Sequence, residues 1–278
     1  MLSLVFPHSV ILGIAIFLPS KCPVSVNYHF TRQCNKSCGF CFHTASTSDV
    51  ESIENAFRGL ALLKSAGMRK INFADYCTEV LQLESVSVVT NGSLVTRNFL
   101  AKHGHNIDIL AVSCDSFNEH TNTEIGRGSG DQVPNLYKIR DLCLEYGIKF
   151  KINTVICRLD FHEDMDPCID DLKPFRWKCF QVLIVNGEND SDKRLRDARK
   201  FLIRDEEIEI FCNTHHHQHA FVPESNALIA KSYLIMDEYM RFLDRDGRDP
   251  SPSILKVGVD RALECVYRDE DSFKDRGG

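Results

Sequence analysis

Between Val24 and Val185 the chain alternates short apolar, β-branched runs with longer amphipathic ones. No other feature limits its fold as much. A strand, a helix and a second strand make one βαβ unit, and a succession of such units builds a parallel sheet. The strand-like runs are Val24–Phe30, Lys70–Phe73, Ser87–Thr90, Ile107–Ser113, Lys149–Ile156 and Lys178–Val185. The helix-like runs are Ser52–Ala66, Val95–His103, Val133–Tyr146, Phe161–Leu172 and Lys193–Phe201. In the first of these, Ile53, Ala56, Phe57, Leu60, Leu63 and Lys64 recur at helical spacing, and Gly67 stops the run. Five right-handed crossovers joining six parallel strands predict an open, partial barrel of α/β class. Beyond about Asp205 the pattern turns helical and loop-rich, and no seventh strand is expected. The chain thus divides into an apolar segment over 1–21, a barrel over 22–204 and a C-terminal extension over 205–278.

At 278 residues, 43% apolar and 26% charged, the chain suits one sizeable domain. A net charge of −6 argues against a broad nucleic-acid-binding surface, though not against a small basic pocket. Twelve cysteines scattered over this length do not suit a disulfide scaffold. Val10 to Leu18 is an unbroken apolar run with no Lys or Arg before Lys21, which makes a poor secretory signal. It is also short for a span of about 20 apolar residues. His215-His216-His217-Gln218-His219 is the one biased tract, and it reads as an exposed loop.

Cys34, Cys38 and Cys41 follow the first strand in a C-x3-C-x2-C spacing. Three thiolates can hold three irons of a 4Fe-4S cluster and leave the fourth without a protein ligand, whereas most iron–sulfur electron carriers use four cysteines. An open coordination position is what a metal centre needs to bind a substrate. Taken alone, the triad with His43 also suits a closed Cys3His zinc site. A cluster needs reduced thiols, so a reducing compartment, most simply the cytosol, is expected.

The spacing, with Phe40 before the last cysteine, resembles the radical S-adenosylmethionine (SAM) family. The stretch from Ser25 to Thr47 is similar to the viperin-like antiviral nucleotide dehydratases within it. So are Ser113-Cys114-Asp115-Ser116-Phe117, Ile125-Gly126-Arg127-Gly128, Phe150-Lys151-Ile152-Asn153, Arg176-Trp177-Lys178, Val222-Pro223-Glu224-Ser225-Asn226 and Asp237-Glu238-Tyr239-Met240-Arg241-Phe242. The resemblance implies a (β/α)6 barrel, a 4Fe-4S cluster on Cys34, Cys38 and Cys41, and SAM near Asn91, Ser113 and Arg127. It implies CTP or a related nucleoside triphosphate held by Lys70, Lys151, Asn153, Arg176 and Lys178. Tyr233 matches a tyrosine thought to quench the product radical. The implied reaction converts CTP to 3'-deoxy-3',4'-didehydro-CTP, with an electron donor and cluster-assembly proteins as partners. A different reading from the same resemblance is a catalytically dead scaffold that binds partners at a membrane. The extension would cover the barrel mouth, and the N-terminal segment would meet a membrane surface on the cytoplasmic face of the endoplasmic reticulum or lipid droplet.

These positions suit the chemistry. In α/β barrels the working residues sit at the carboxyl ends of strands. Thr90-Asn91-Gly92-Ser93 ends the third strand, and Ser113 and Asp115 end the fourth. By the two-residue period Lys151 and Asn153 share a face, as do Arg176 and Lys178. An arginine fork can pair bidentately with a carboxylate, which suits Arg127. Tyr239 reads as a packing residue, and Asp75 and Glu79 do not read as an acid/base pair.

Two departures from the family stand out. Its Gly-Gly-Glu-Pro element after the second strand is absent, and Ala74-Asp75-Tyr76-Cys77-Thr78-Glu79 stands there instead. Only Ala74 to Val86 separates Phe73 from Ser87, the lower limit for a parallel crossover, so a stunted second helix is expected. The chain ends at Arg276-Gly277-Gly278, where the family continues into a basic and aromatic tail. Cluster binding with slight or no SAM cleavage is therefore expected.

Overall fold

A computed structural model describes residues 24–43, 47–71, 76–185, 189, 195–226, 233–244 and 249–266. The apolar N-terminal run and the final residues lie outside that set. Among the described residues no helix is long and apolar enough to cross a membrane.

The expected strands form one parallel sheet that curls into a half-barrel. They are β1 (Ser25–Tyr28), β2 (Lys70–Ile71), β3 (Ser85–Thr90), β4 (Ile109–Ser113), β5 (Lys149–Ile156) and β6 (Arg176–Gln181). The helices between them are α1 (Ile53–Ser65), α2 (Tyr76–Glu79), α3 (Arg97–His103), α4 (Glu119–Ile125), α5 (Gln132–Tyr146) and α6 (Asp166–Leu172). The expectation of no seventh strand is corrected. The extension contains α7 (Asp205–His215), then β7 (Phe221–Glu224) beside β6 and β8 (Ile235–Met236) beside β1. Among the described residues the sheet therefore has eight strands in the order β7-β6-β5-β4-β3-β2-β1-β8. Both additions are short edge strands, and Pro223 sits in one of them, so neither carries a usable period-2 signal.

Local chemistry explains the boundaries. Ser52 caps α1 by accepting from the Asn55 N–H at 3.2 Å, a contact of a kind worth about 1 kcal/mol. Ala56, Leu60 and Leu63 form the buried stripe of α1, whereas Ile53 is 73% exposed, so the apolar face is narrower than its spacing suggested. α6 starts at Asp166 rather than Phe161, because Pro167 fits only the first helical turn. Between Ile71 and Ser85 the described part of the crossover begins at Tyr76 and holds one short helical turn, α2. The Ala74-Asp75 part of the departure lies outside the described residues.

Two apolar cores flank the sheet. One lies behind β4–β6 and joins Leu110, Val112, Ile139, Ile152 and Trp177 to Phe211 of α7. The other joins Val26, Leu60, Leu63 and Met68 to Met236, Met240 and Phe242, then to α8 (Ile254–Val257) and α9 (Val259–Leu263). The described extension thus builds both sheet edges and completes a core.

Candidate active site

The cysteine loop leaves β1 at the carboxyl end of the sheet and is pinned to α4. Ser37 N–H donates to the Gly126 carbonyl at 3.0 Å, and Gly39 N–H to the Ile125 carbonyl at 2.8 Å. Gly126 ends α4 at φ +93°, and a Cβ there would lie 2.5 Å from the Ser37 carbonyl oxygen. Only glycine fits both the left-handed backbone and the close approach.

Cys34, Cys38 and Cys41 are all free thiols, respectively exposed, buried and half-buried. Burial pushes the Cys38 thiol up to about 11, the neighbouring Cys41 and Cys34 oppose its ionisation further, and Arg127 pulls the other way. Burial likewise raises Cys41. Two neighbouring thiols, Cys38 and Cys41, that resist ionising fit a strongly cationic metal centre, because coordination is what removes their protons. The set therefore fits an iron–sulfur cluster. His43, the fourth ligand of the zinc alternative, holds its Nε2 against the Thr31 carbonyl at 3.1 Å and its ring against His29.

A cavity of about 1520 Å³ runs along the concave face of the sheet. Cys34, Cys41, Asn91, Ser113 and Arg127 line it together with Lys70, Lys151, Asn153, Arg176, Lys178 and Tyr233. Every site residue expected from sequence is there except Cys38, which is buried behind the loop. Asn91 Nδ2 lies 3.8 Å from the Cys34 sulfur. Asn153 Oδ1 is buried with no hydrogen-bond partner, an acceptor left over at the cavity wall. Apolar groups also line the cavity: Phe57 stacks on Tyr76 at 3.8 Å, and Ile53, Val89 and Leu94 border the same space.

Arg127 and Lys178 have counter-ions. Asp115, wholly buried, takes the Nε and Nη2 donors of Arg127 and accepts the Val155 N–H at 3.0 Å. Burial alone would lower the Arg127 pKa, but Asp115 outweighs it and keeps the guanidinium charged. Lys178 pairs with Glu224, which is 1% exposed. Tyr233 closes this group: its hydroxyl lies 3.0 Å from Lys178 Nζ and donates to Glu224 Oε2 at 2.6 Å. Sequence reasoning missed Glu224 as a site residue. The available signal was an acid inside the apolar Phe221–Glu224 strand.

Other expectations resolve away from the cavity. The histidine tract is not simply an exposed loop, because His215 is the fully buried last residue of α7. Its Nε2 accepts the Met165 N–H at 3.0 Å, and its Nδ1 lies 2.8 Å from the Phe211 carbonyl. Tyr239 contacts Asp49 through its hydroxyl and carries Arg241 over its ring. Glu79 accepts from Asn106.

The curled half-barrel is that of radical SAM enzymes. It superposes on anSMEcpe with bound AdoMet at a TM-score of 0.61 and 12% identity, covering 90% of this chain and 83% of that one. Streptococcus suis SuiB bound to S-adenosylmethionine gives 0.58 at 17% identity, covering 80% of this chain and 60% of SuiB. No protein-family model matches the sequence. Curated relatives go further. The S-adenosylmethionine-dependent nucleotide dehydratase RSAD2 of Danio rerio is 51% identical over 94% of this chain and 78% of its own length. That of Oncorhynchus mykiss is 50% identical over 93% of this chain and 80% of its own length. A nucleotide dehydratase of Flammeovirga pacifica is 31% identical over 91% of this chain and 94% of its own length. The chain belongs to the viperin (RSAD2) family of S-adenosylmethionine-dependent nucleotide dehydratases.

Proposed function

We propose that this chain is a CTP dehydratase forming 3'-deoxy-3',4'-didehydro-CTP, with Cys34, Cys38 and Cys41 holding a 4Fe-4S cluster, and that the lost glycine-rich element leaves SAM cleavage slight in this form. The observation that carries the reading is the single cavity that joins the cysteine loop to Lys70, Lys151, Asn153 and Arg176. When bound, the cluster and SAM supply a 5'-deoxyadenosyl radical, while the protein supplies position and exclusion of water. Asp115 takes the Nε and Nη2 donors of Arg127, so Nη1 is the donor that would meet the SAM carboxylate. Lys70, Lys151 and Arg176 neutralise the triphosphate, and the leftover Asn153 acceptor takes a substrate hydroxyl or amino hydrogen. Tyr233, ordered by Lys178 and Glu224, holds a proton at its oxygen on the cavity wall.

Titration with CTP tests the substrate. Lys151→Ala and Arg176→Ala each weaken binding at least several-fold, and affinity falls with salt, because phosphate recognition is charge-assisted. Unchanged affinity in both variants would put the nucleotide elsewhere.

A further inference from the structure

The cysteine loop has a second anchor, opposite α4, and it comes from the extension. Arg32, two residues before Cys34, donates from Nε to Glu238 Oε1 at 2.7 Å, and both side chains are withdrawn from solvent. Thr47, on the far side of Cys41, donates its hydroxyl to the same Oε1 at 2.9 Å. One carboxylate therefore binds both ends of the loop. The loop closes on itself beside it, through a bridge between Thr31 and Val50.

Glu238 is itself held rigidly. It lies in a tight turn whose Asp237 carboxylate accepts the backbone N–H groups of Tyr239 at 3.0 Å and Arg241 at 2.9 Å. The same carboxylate pairs with the Arg241 guanidinium at 2.7 Å. The turn follows β8, and the His29 N–H donates to the Met236 carbonyl at 2.8 Å. Met240 then buries its sulfur against Gly59 of α1, where a Cβ would meet it at 2.7 Å. A helix, an edge strand and a salt-bridged turn thus converge to place one acid under the loop.

We propose that Glu238 is a positioning residue for the iron–sulfur site, stapling Arg32 and Thr47 so that the three thiols converge. The proposal rests on the cluster reading above. It makes assembly of a site near residue 40 depend on a side chain about two hundred residues later.

The test uses the full chain and two readouts. In the apoprotein, alkylation of each cysteine is timed by mass spectrometry under native conditions. Exposed Cys34 and core Cys77 and Cys143 serve as references. Iron and sulfide are then counted after anaerobic reconstitution. In Glu238→Gln, Cys38 and Cys41 alkylate at least tenfold faster while Cys77 and Cys143 stay protected, and cluster loading falls by at least half. The exchanged pair Arg32→Glu with Glu238→Arg recovers part of the loading, which general loosening of the fold would not allow. If Glu238→Gln does not fold, Arg32→Met with Glu238→Met removes both charges and leaves no buried ion alone. That double variant folds and still shows fast Cys38 alkylation. A folded variant with parental alkylation and loading overturns the proposal. A parent that takes up zinc and no sulfide overturns the cluster reading instead, and the alkylation rates then decide the staple by themselves.

Discussion

Replacing Glu224 by Gln removes the counter-ion of Lys178 while keeping the size of the side chain and an acceptor for Tyr233. The parent pair is withdrawn from water, at 9% and 0% side-chain exposure. Breaking a buried pair by removing one partner costs about 3–5 kcal/mol. Lys178 borders the cavity, so water relieves part of that, and about 2–3 kcal/mol is the expected loss. For a domain of this size each kcal/mol lowers Tm by roughly 2–4 °C, so the melt moves down by roughly 4–12 °C. Nucleotide binding moves the opposite way. For a phosphate within about 8 Å of the lost carboxylate, at an effective dielectric between roughly 20 and 80, the relieved repulsion is about 0.5–2 kcal/mol, or roughly 2- to 30-fold tighter binding. Thermal melts and CTP titration of the same preparation read both effects. A variant that melts within a degree of the parent and binds CTP with unchanged affinity would refute the pairing. A variant that loses both stability and affinity would show that Glu224 serves the nucleotide directly.

Gly126→Ala puts a methyl group against the Ser37 carbonyl and a side chain at φ +93°, so it costs about 1–3 kcal/mol and lowers cluster loading, read by sulfide analysis. Burial raises the folded-state pKa of Cys38 to about 11 and of Cys77 and Cys143 to about 12. Their contribution is complete below the unfolded thiol pKa and is lost as pH rises through the folded values. Denaturant melts of the apoprotein should therefore weaken between about pH 9 and 12, and Cys143→Ala should flatten that slope. The family resemblance implies that the missing glycine-rich element holds the SAM amino group; with hydrogen bonds to a charged group worth about 1.5–3 kcal/mol each, two lost should weaken SAM binding roughly 100-fold or more. Grafting a full-length crossover between Phe73 and Val86 should raise 5'-deoxyadenosine formation, and equal rates in graft and parent would end that explanation.

Much of the barrel was legible because its central strands carry long, apolar, β-branched runs. Lys149–Ile156 matches β5 residue for residue, and Ile107–Ser113 overshoots β4 by two. The cavity cations were legible through the family resemblance, and the two-residue period put Lys151 on the face of Asn153 and Arg176 on that of Lys178. What the chain order conceals is partners distant in sequence. Lys178 reads as a phosphate ligand until Glu224, on a four-residue strand, arrives beside it. Arg127 reads as an open fork until Asp115 occupies it. His215 belongs to a polar tract, and its burial follows from packing against Trp177 and Phe221, which no local pattern announces. The strands β7 and β8 are too short for any periodicity to register.

In the proposed function the cysteine loop and the cation-lined cavity form one radical SAM site. Electron paramagnetic resonance of the anaerobically reconstituted, reduced chain, with and without SAM, tests it most directly. The expected result is a 4Fe-4S signal, with matching iron and sulfide, whose shape changes when SAM is added, because one iron lacks a protein ligand. Stoichiometric zinc without sulfide, or a cluster signal that SAM leaves unaltered at saturating concentration, would contradict it.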